Sequence, residues 1–247
     1  MALKTILNYS PNFNSKKRKI KQIKFIIFHY TGMKNESEAI DRLTNLQSEV
    51  SCHYLIKNNG DIIKIVPDLY VAWHAGKSSW KDYELLNQNS IGIEITNPGY
   101  EFGYKKFSKK QIFSLLKLGK ILIKKYKVNH RNILGHSDIA PERKKDPGEK
   151  FPWEYLSKNK IGLWHSLTKK ELMKNRRLKT RKIEKESFFN SLFKIGYSKK
   201  TPKNINKDSY LKDVAKAFQR RFRQELIDGK IDRECLLIST NLLKRYN

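Results

Sequence analysis

The side chains best suited to chemistry lie between Gly135 and Gly148, where His136, Lys144, Lys145 and Asp146 share one loop punctuated by Pro141 and Pro147. His136 follows the short apolar run Asn132-Ile133-Leu134, which places it at the end of a strand, and Asp146 lies ten positions further on. That spacing lets the chain fold back so that an imidazole and a carboxylate face one ion. Catalytic zinc takes three protein ligands and keeps a fourth position for water, so a further ligand must come from elsewhere in the chain.

The elements that must position such a site are legible in the hydrophobic pattern. Phe25-Ile26-Ile27-Phe28 is a continuous apolar run, the pattern of a strand buried on both faces, and it delivers His29 at its C-terminal end. Ile91-Gly92-Ile93-Glu94-Ile95 reads as a second strand, with Glu94 flanked by isoleucines. If both faces are covered, Glu94 lines a cleft and desolvation raises its pKa; on an exposed edge strand it is an ordinary surface carboxylate. Residues 52–56 and 62–66 read as a hairpin turned at Asn59-Gly60. His53, inside the first of these strands, is expected to be a hydrogen-bonded core residue.

Two amphipathic helices complete this part. One spans residues 36–47 with Ala39, Ile40, Leu43 and Leu46 on one face; the other starts at Ser108, where Ser108 and Gln111 form a capping box. Between them, residues 67–90 form a long irregular segment carrying Trp73, His74 and Trp80, and aromatic side chains argue against disorder there. Two histidines, an aspartate, a shielded glutamate and a neighbouring lysine are the parts of metal-assisted hydrolysis.

Six stretches in order carry a resemblance to a known family: Phe28-His29-Tyr30-Thr31, Ser51-Cys52-His53-Tyr54, Ala72-Trp73-His74-Ala75-Gly76, Ser90-Ile91-Gly92-Ile93-Glu94, Gly135-His136-Ser137-Asp138-Ile139-Ala140-Pro141 and Arg143-Lys144-Lys145-Asp146-Pro147-Gly148. The chain resembles the zinc-dependent N-acetylmuramoyl-L-alanine amidases of the type 2 family, which share their fold with peptidoglycan recognition proteins. The resemblance implies an α/β domain with a central mixed sheet flanked by helices. It implies one zinc ion per chain held by His29, His136 and Asp146, Glu94 as general base and Lys144 as the cation that stabilises the oxyanion. The family motif favours Lys144 over Lys145 for that role. Trp73 and His74 are expected to line the substrate groove, and the partner is peptidoglycan or a muramyl peptide cut between the lactyl group and L-alanine. No further cofactor is implied.

After Phe151-Pro152-Trp153 the composition becomes charge-rich, and the C-terminal part resembles a small all-α, three-helix peptidoglycan-binding domain, chiefly through residues 217–223 and 226–232. Phe218 and Phe222, four apart on one helix face, read as core. The expected organisation is a basic, solvated N-terminal arm at 1–19, a catalytic domain at 20–160, a linker with a first helical segment at 161–185, and a helical domain at 186–247.

A net charge of +28 makes a polyanion the default partner. Residues 161–247 carry 23 Lys+Arg against 9 Asp+Glu. No nucleic-acid-binding motif accompanies this charge, so an anionic cell-wall polymer is the expected target and no specific nucleic acid is. Cys52 and Cys235 match no metal or disulfide spacing and read as buried thiols. No apolar run is long enough to span a membrane, and residues 1–10 are too polar for a secretory signal. The cell envelope or periplasm is the expected compartment, with the cytoplasm as the alternative, and a monomer is the default. The competing reading is a peptidoglycan-binding protein without activity; retention of all three expected ligands with Glu94 and Lys144 argues against it.

Overall fold

The computed structural model describes residues 5–246. Residues 1–4 and 247, at the outer ends of the expected arm and helical domain, lie outside the described residues. In chain order the strands are β1 (Ile6–Leu7), β2 (Phe13–Asn14), β3 (Phe25–Tyr30), β4 (Tyr54–Ile56), β5 (Ile62–Lys64), β6 (Val71–Ala72), β7 (Ser79–Trp80), β8 (Tyr83–Glu84), β9 (Ser90–Ile95) and β10 (Ile133–Gly135). The helices are α1 (Glu36–Thr44), α2 (Lys109–Tyr126), α3 (His136–Ile139), α4 (Trp153–Lys158), α5 (Lys169–Asn175), α6 (Lys182–Ile195), α7 (Lys207–Phe222) and α8 (Arg233–Tyr246).

Six strands form the central sheet in the order β1-β5-β4-β9-β3-β10. All neighbours run parallel except β4 and β5, the hairpin expected from Asn59-Gly60, so the sheet is mixed. Strand alternation sends Ile26, Phe28, Ile91 and Ile93 to one face, where they pack with Ile112, Leu115, Leu118 and Leu122 of α2. The capping box at Ser108 starts that helix as expected, with Gln111 N donating to Ser108 Oγ and Ser108 N to Gln111 Oε1.

The opposite face is shared three ways. Leu55 and Ile63 pack with Leu43 of α1. Phe25, Ile27 and Leu134 join one core cluster with Phe188, Leu192, Val214, Phe218 and Phe222 of α6 and α7. Between these two covers the face stays open, and there His29 and Glu94 stand side by side, His29 being the register partner of Glu94. The site thus forms at the carboxyl ends of parallel strands, where an α/β sheet leaves a crevice.

Two expectations need correction. The N-terminal arm is exposed along most of its length but docked rather than free: β1 adds an edge strand to the sheet beside β5, β2 pairs with β6, and the Arg18 side chain is buried, donating to Asp68 O at 2.9 and 3.2 Å. A lysine-rich stretch hides this docking because the contacts are made by backbone and by a few other side chains, Asn12, Phe13, Asn14 and Arg18. The 67–90 segment is not wholly irregular either, since β6 and the β7–β8 hairpin lie within it and Trp80 is buried against Tyr197. Phe218 and Phe222 are core, and both cysteines are buried free thiols, as expected. No helix among the described residues is long and apolar enough to cross a membrane.

Candidate metal centre and active site

The three expected ligands converge. His29 Nδ1 lies 3.0 Å from His136 Nδ1 and 3.0 Å from Asp146 Oδ2, and His136 Nδ1 lies 3.1 Å from the same oxygen. Among the described residues this is the group of His, Cys, Asp and Glu side chains able to hold a metal ion, and all three are buried.

The acceptors behind the rings assign their protons. Ser90 Oγ donates its single proton to Leu86 O at 2.6 Å, so it must accept from His74 Nε2 at 3.1 Å. His74 Nδ1 is then a lone pair that accepts from His29 Nε2 at 3.0 Å. His136 Nε2 faces the Ala75 carbonyl at 3.1 Å and donates to it. Both Nδ1 atoms are therefore unprotonated and aimed at each other and at a carboxylate oxygen. Three lone pairs at such range repel unless a cation lies among them. A tetrahedral ion with bonds of about 2.0–2.2 Å sets its ligand atoms ~3.3 Å apart, so the triangle has the size of a zinc tripod. The donor set fits the metal.

Electrostatics agree. Burial, then the His136 ring, push the His29 pKa down to about 4, which keeps the imidazole neutral, as binding a metal requires. Burial opposes ionisation of Asp146; protons on His136 and His29 would outweigh it and hold the carboxyl well below the usual range, and with both Nδ1 atoms bare that role falls to a cation.

Glu94 lines the cleft beside the tripod, and its buried Oε2 has no hydrogen-bond partner. Burial, reinforced by the Asp146 charge and opposed by Lys144, raises its pKa to about 8. The two lysines separate: Lys144 is half-buried and acts electrostatically on both His29 and Glu94, whereas Lys145 is exposed and lies over the Tyr100 ring, 5.5 Å from its centroid. The cleft these residues line has a volume of about 560 Å³.

A family model described as N-acetylmuramoyl-L-alanine amidase matches residues 19–149. The amidase AmiD of Escherichia coli is 35% identical over 240 residues, covering 91% of this chain and 84% of that protein. This chain belongs to the N-acetylmuramoyl-L-alanine amidase family. The structure of E. coli AmiD, solved in complex with anhydro-N-acetylmuramic acid-L-Ala-D-gamma-Glu-L-Lys, superposes with a TM-score of 0.78 at 32% identity, covering 91% of this chain and 90% of that one. The structure of AmpDh3 from Pseudomonas aeruginosa gives a TM-score of 0.78 at 30% identity, covering 96% of this chain and 97% of that one.

In this amidase Trp73 and His74 both line the cleft, but in different ways. Trp73 forms part of its rim, its Nε1 donating to Asn14 Oδ1 at 2.7 Å. His74 sits behind His29, so close to β9 that a Cβ on Gly92 would come within 2.4 Å of its ring, which explains the glycine. His53 is a core residue as expected: its Nδ1 accepts from Gly92 N at 3.0 Å, and burial with the Arg18 charge lowers its pKa to about 3.

The amidase site also rests on groups the sequence reading passed over. Asn87 Oδ1 accepts from His74 N and Ala75 N at 3.1 and 2.7 Å and shapes the turn. Arg143 donates to the Ala75 and Lys77 carbonyls and so ties the metal loop to the Trp73 loop. The signal for Arg143 was its place in the metal loop. The Ala75 carbonyl carries no sequence signal, because every residue has one.

Proposed function

We propose that this chain uses one zinc ion, held by His29, His136 and Asp146, to hydrolyse the amide between the lactyl group of N-acetylmuramic acid and the first L-alanine of the peptidoglycan stem. The observation that carries this reading is the convergence of two unprotonated imidazole nitrogens and one carboxylate oxygen within 3.1 Å of one another, beside a carboxylate whose Oε2 has no partner. When bound, zinc supplies Lewis acidity, which acidifies water toward neutral pH and polarises the scissile carbonyl.

The protein groups do the rest. His74 and the Ala75 carbonyl hold the two imidazoles in the tautomer that presents Nδ1. Glu94, in its ionised form, takes a proton from the attacking water at Oε2; its raised affinity for that proton then suits it to deliver the proton to the leaving amine. Lys144 Nζ holds negative charge on the carbonyl oxygen as the tetrahedral centre forms, a contribution of about 3–4 kcal/mol for one well-placed donor. Trp73 contacts substrate at the rim, and His74 completes the groove wall behind the metal.

Along the chain we assign 20–160 to catalysis, 161–185 to a linker with a first helical segment, and 186–247 to wall attachment, with 1–19 as a basic arm. A net charge of +28 supports attraction to an anionic wall and action in the cell envelope. The muramyl peptide bound in the E. coli AmiD complex supports a substrate of that class for this chain.

The test is hydrolysis of a muramyl peptide before and after dialysis against a chelator. Activity should vanish on metal removal and return with one equivalent of zinc. Turnover that persists in metal-free protein would overturn the reading.

A further inference from the structure

The metal loop is held from an unexpected direction. Asp138, two residues beyond His136, is 1% exposed and is fully engaged away from the cleft. Its Oδ2 accepts from Gly135 N at 2.8 Å and from Arg221 Nη1 at 2.5 Å, while its Oδ1 accepts from Tyr197 OH at 2.8 Å. Arg221 belongs to α7, and Tyr197 follows the glycine that ends α6, so both come from the C-terminal helical segment.

Arg221 does more than neutralise Asp138. Its Nη2 donates to Ile133 O at 3.0 Å, so one guanidinium bridges Ile133, two residues before the Gly135-His136 step, and Asp138, two residues after it. The Trp153 ring, 4.3 Å from the guanidinium carbon, fixes its plane. Gly135 cannot be replaced to stiffen this step, because a Cβ there would meet Pro147 Cδ at 2.7 Å. The turn continues into the rest of the site: Ser137 N donates to Asp146 O at 2.9 Å, and Lys144 N to Ala140 O at 3.0 Å. Two of the three ligands and Lys144 therefore hang on the turn that Asp138 anchors.

We propose that Arg221 and Tyr197 are positioning residues for the metal tripod, acting through Asp138 on the turn that carries His136. The C-terminal helices are thus part of the metal centre's support as well as a candidate wall-attachment unit. This inference rests on the zinc reading above.

The test measures the zinc dissociation constant of the full chain by chelator competition, alongside the melting temperature of the metal-free protein. Arg221→Met should weaken zinc binding by about 10-fold, the lower end of the loss when a direct partner of a ligand is removed, because Arg221 acts through Asp138 and the turn. Arg221→Lys should recover part of it. Tyr197→Phe removes a single hydrogen bond to Asp138 and should weaken zinc by roughly threefold, less than the loss of a direct partner of a ligand; it decides the question if Arg221→Met does not fold. Phe218→Leu, in the same helix and core but without contact to Asp138, should lower the melting temperature and leave zinc affinity unchanged. If Arg221→Met and Tyr197→Phe bind zinc as the wild type does, the ion pair only joins the two parts of the chain and the inference fails. Failure of the wild type itself to bind zinc would instead sink the tripod reading.

Discussion

The two histidines of the tripod are supported in opposite ways. His29 is the fifth residue of a six-residue strand bonded on both sides, by β9 and by β10, and its ring is backed by His74 and Ser90 from the same half of the chain. His136 follows a three-residue strand at the edge of the sheet, and the turn after it is held by Arg221 and Tyr197. A ligand on a central strand inherits its position from the sheet ladder; a ligand at an edge must have its position supplied by packing from elsewhere in the chain.

The largest effects should come from breaking the second support. Asp138→Ala leaves the Arg221 charge buried without its partner and should destabilise the chain by about 3–5 kcal/mol, read from denaturant unfolding. The matching cut behind His29, Ser90→Ala, removes two neutral hydrogen bonds, to Leu86 O and from His74 Nε2, and should cost about 1–2 kcal/mol. Equal costs would erase the distinction drawn between the two ligands.

The metal loop also distinguishes its two lysines. Lys144→Ala should lower kcat by roughly 10²–10³-fold as an oxyanion donor is lost, whereas Lys145→Ala, removing an exposed side chain, should leave kcat within about twofold. The reverse order would show that Lys145 turns inward on substrate binding.

Smaller effects concern protons. Glu94 works as a base only when ionised, and Lys144 lowers its pKa. Lys144→Met should therefore move the acidic limb of the kcat/KM profile to higher pH. Because the folded pKa of Glu94, about 8, lies above its ordinary value, the stabilising protonated form is lost as pH rises toward and through 8. Glu94→Gln should accordingly raise the melting temperature of the metal-free protein by a few degrees near and above that pH, and by nothing in acid below the ordinary glutamate range.

The difference between the two supports also explains what could be read from the sequence. Phe25–Phe28 announced a buried strand, and with it the placing of His29, because local hydrophobicity carries that information. The Ser108 cap and the Asn59-Gly60 turn were legible for the same reason. Arg221 lies in a run of basic residues where nothing local tells a buried arginine from a solvated one, and its partner is 83 positions away. Arg18 misled in the same way: a lysine-rich arm looked solvated, yet its arginine is buried against Asp68 O. The sequence separates charged residues from apolar ones more readily than it separates a paired charge from a free one.

The central claim, a zinc tripod served by Glu94 as base, is tested most directly by measuring bound zinc and muramyl peptide turnover together on wild type and Glu94→Gln. The account predicts one zinc per chain in both proteins, with turnover lowered by about 10²–10⁴-fold in the variant alone. A variant that loses its zinc would make Glu94 a ligand, and a variant that keeps full turnover would remove it from the chemistry; either result contradicts the account.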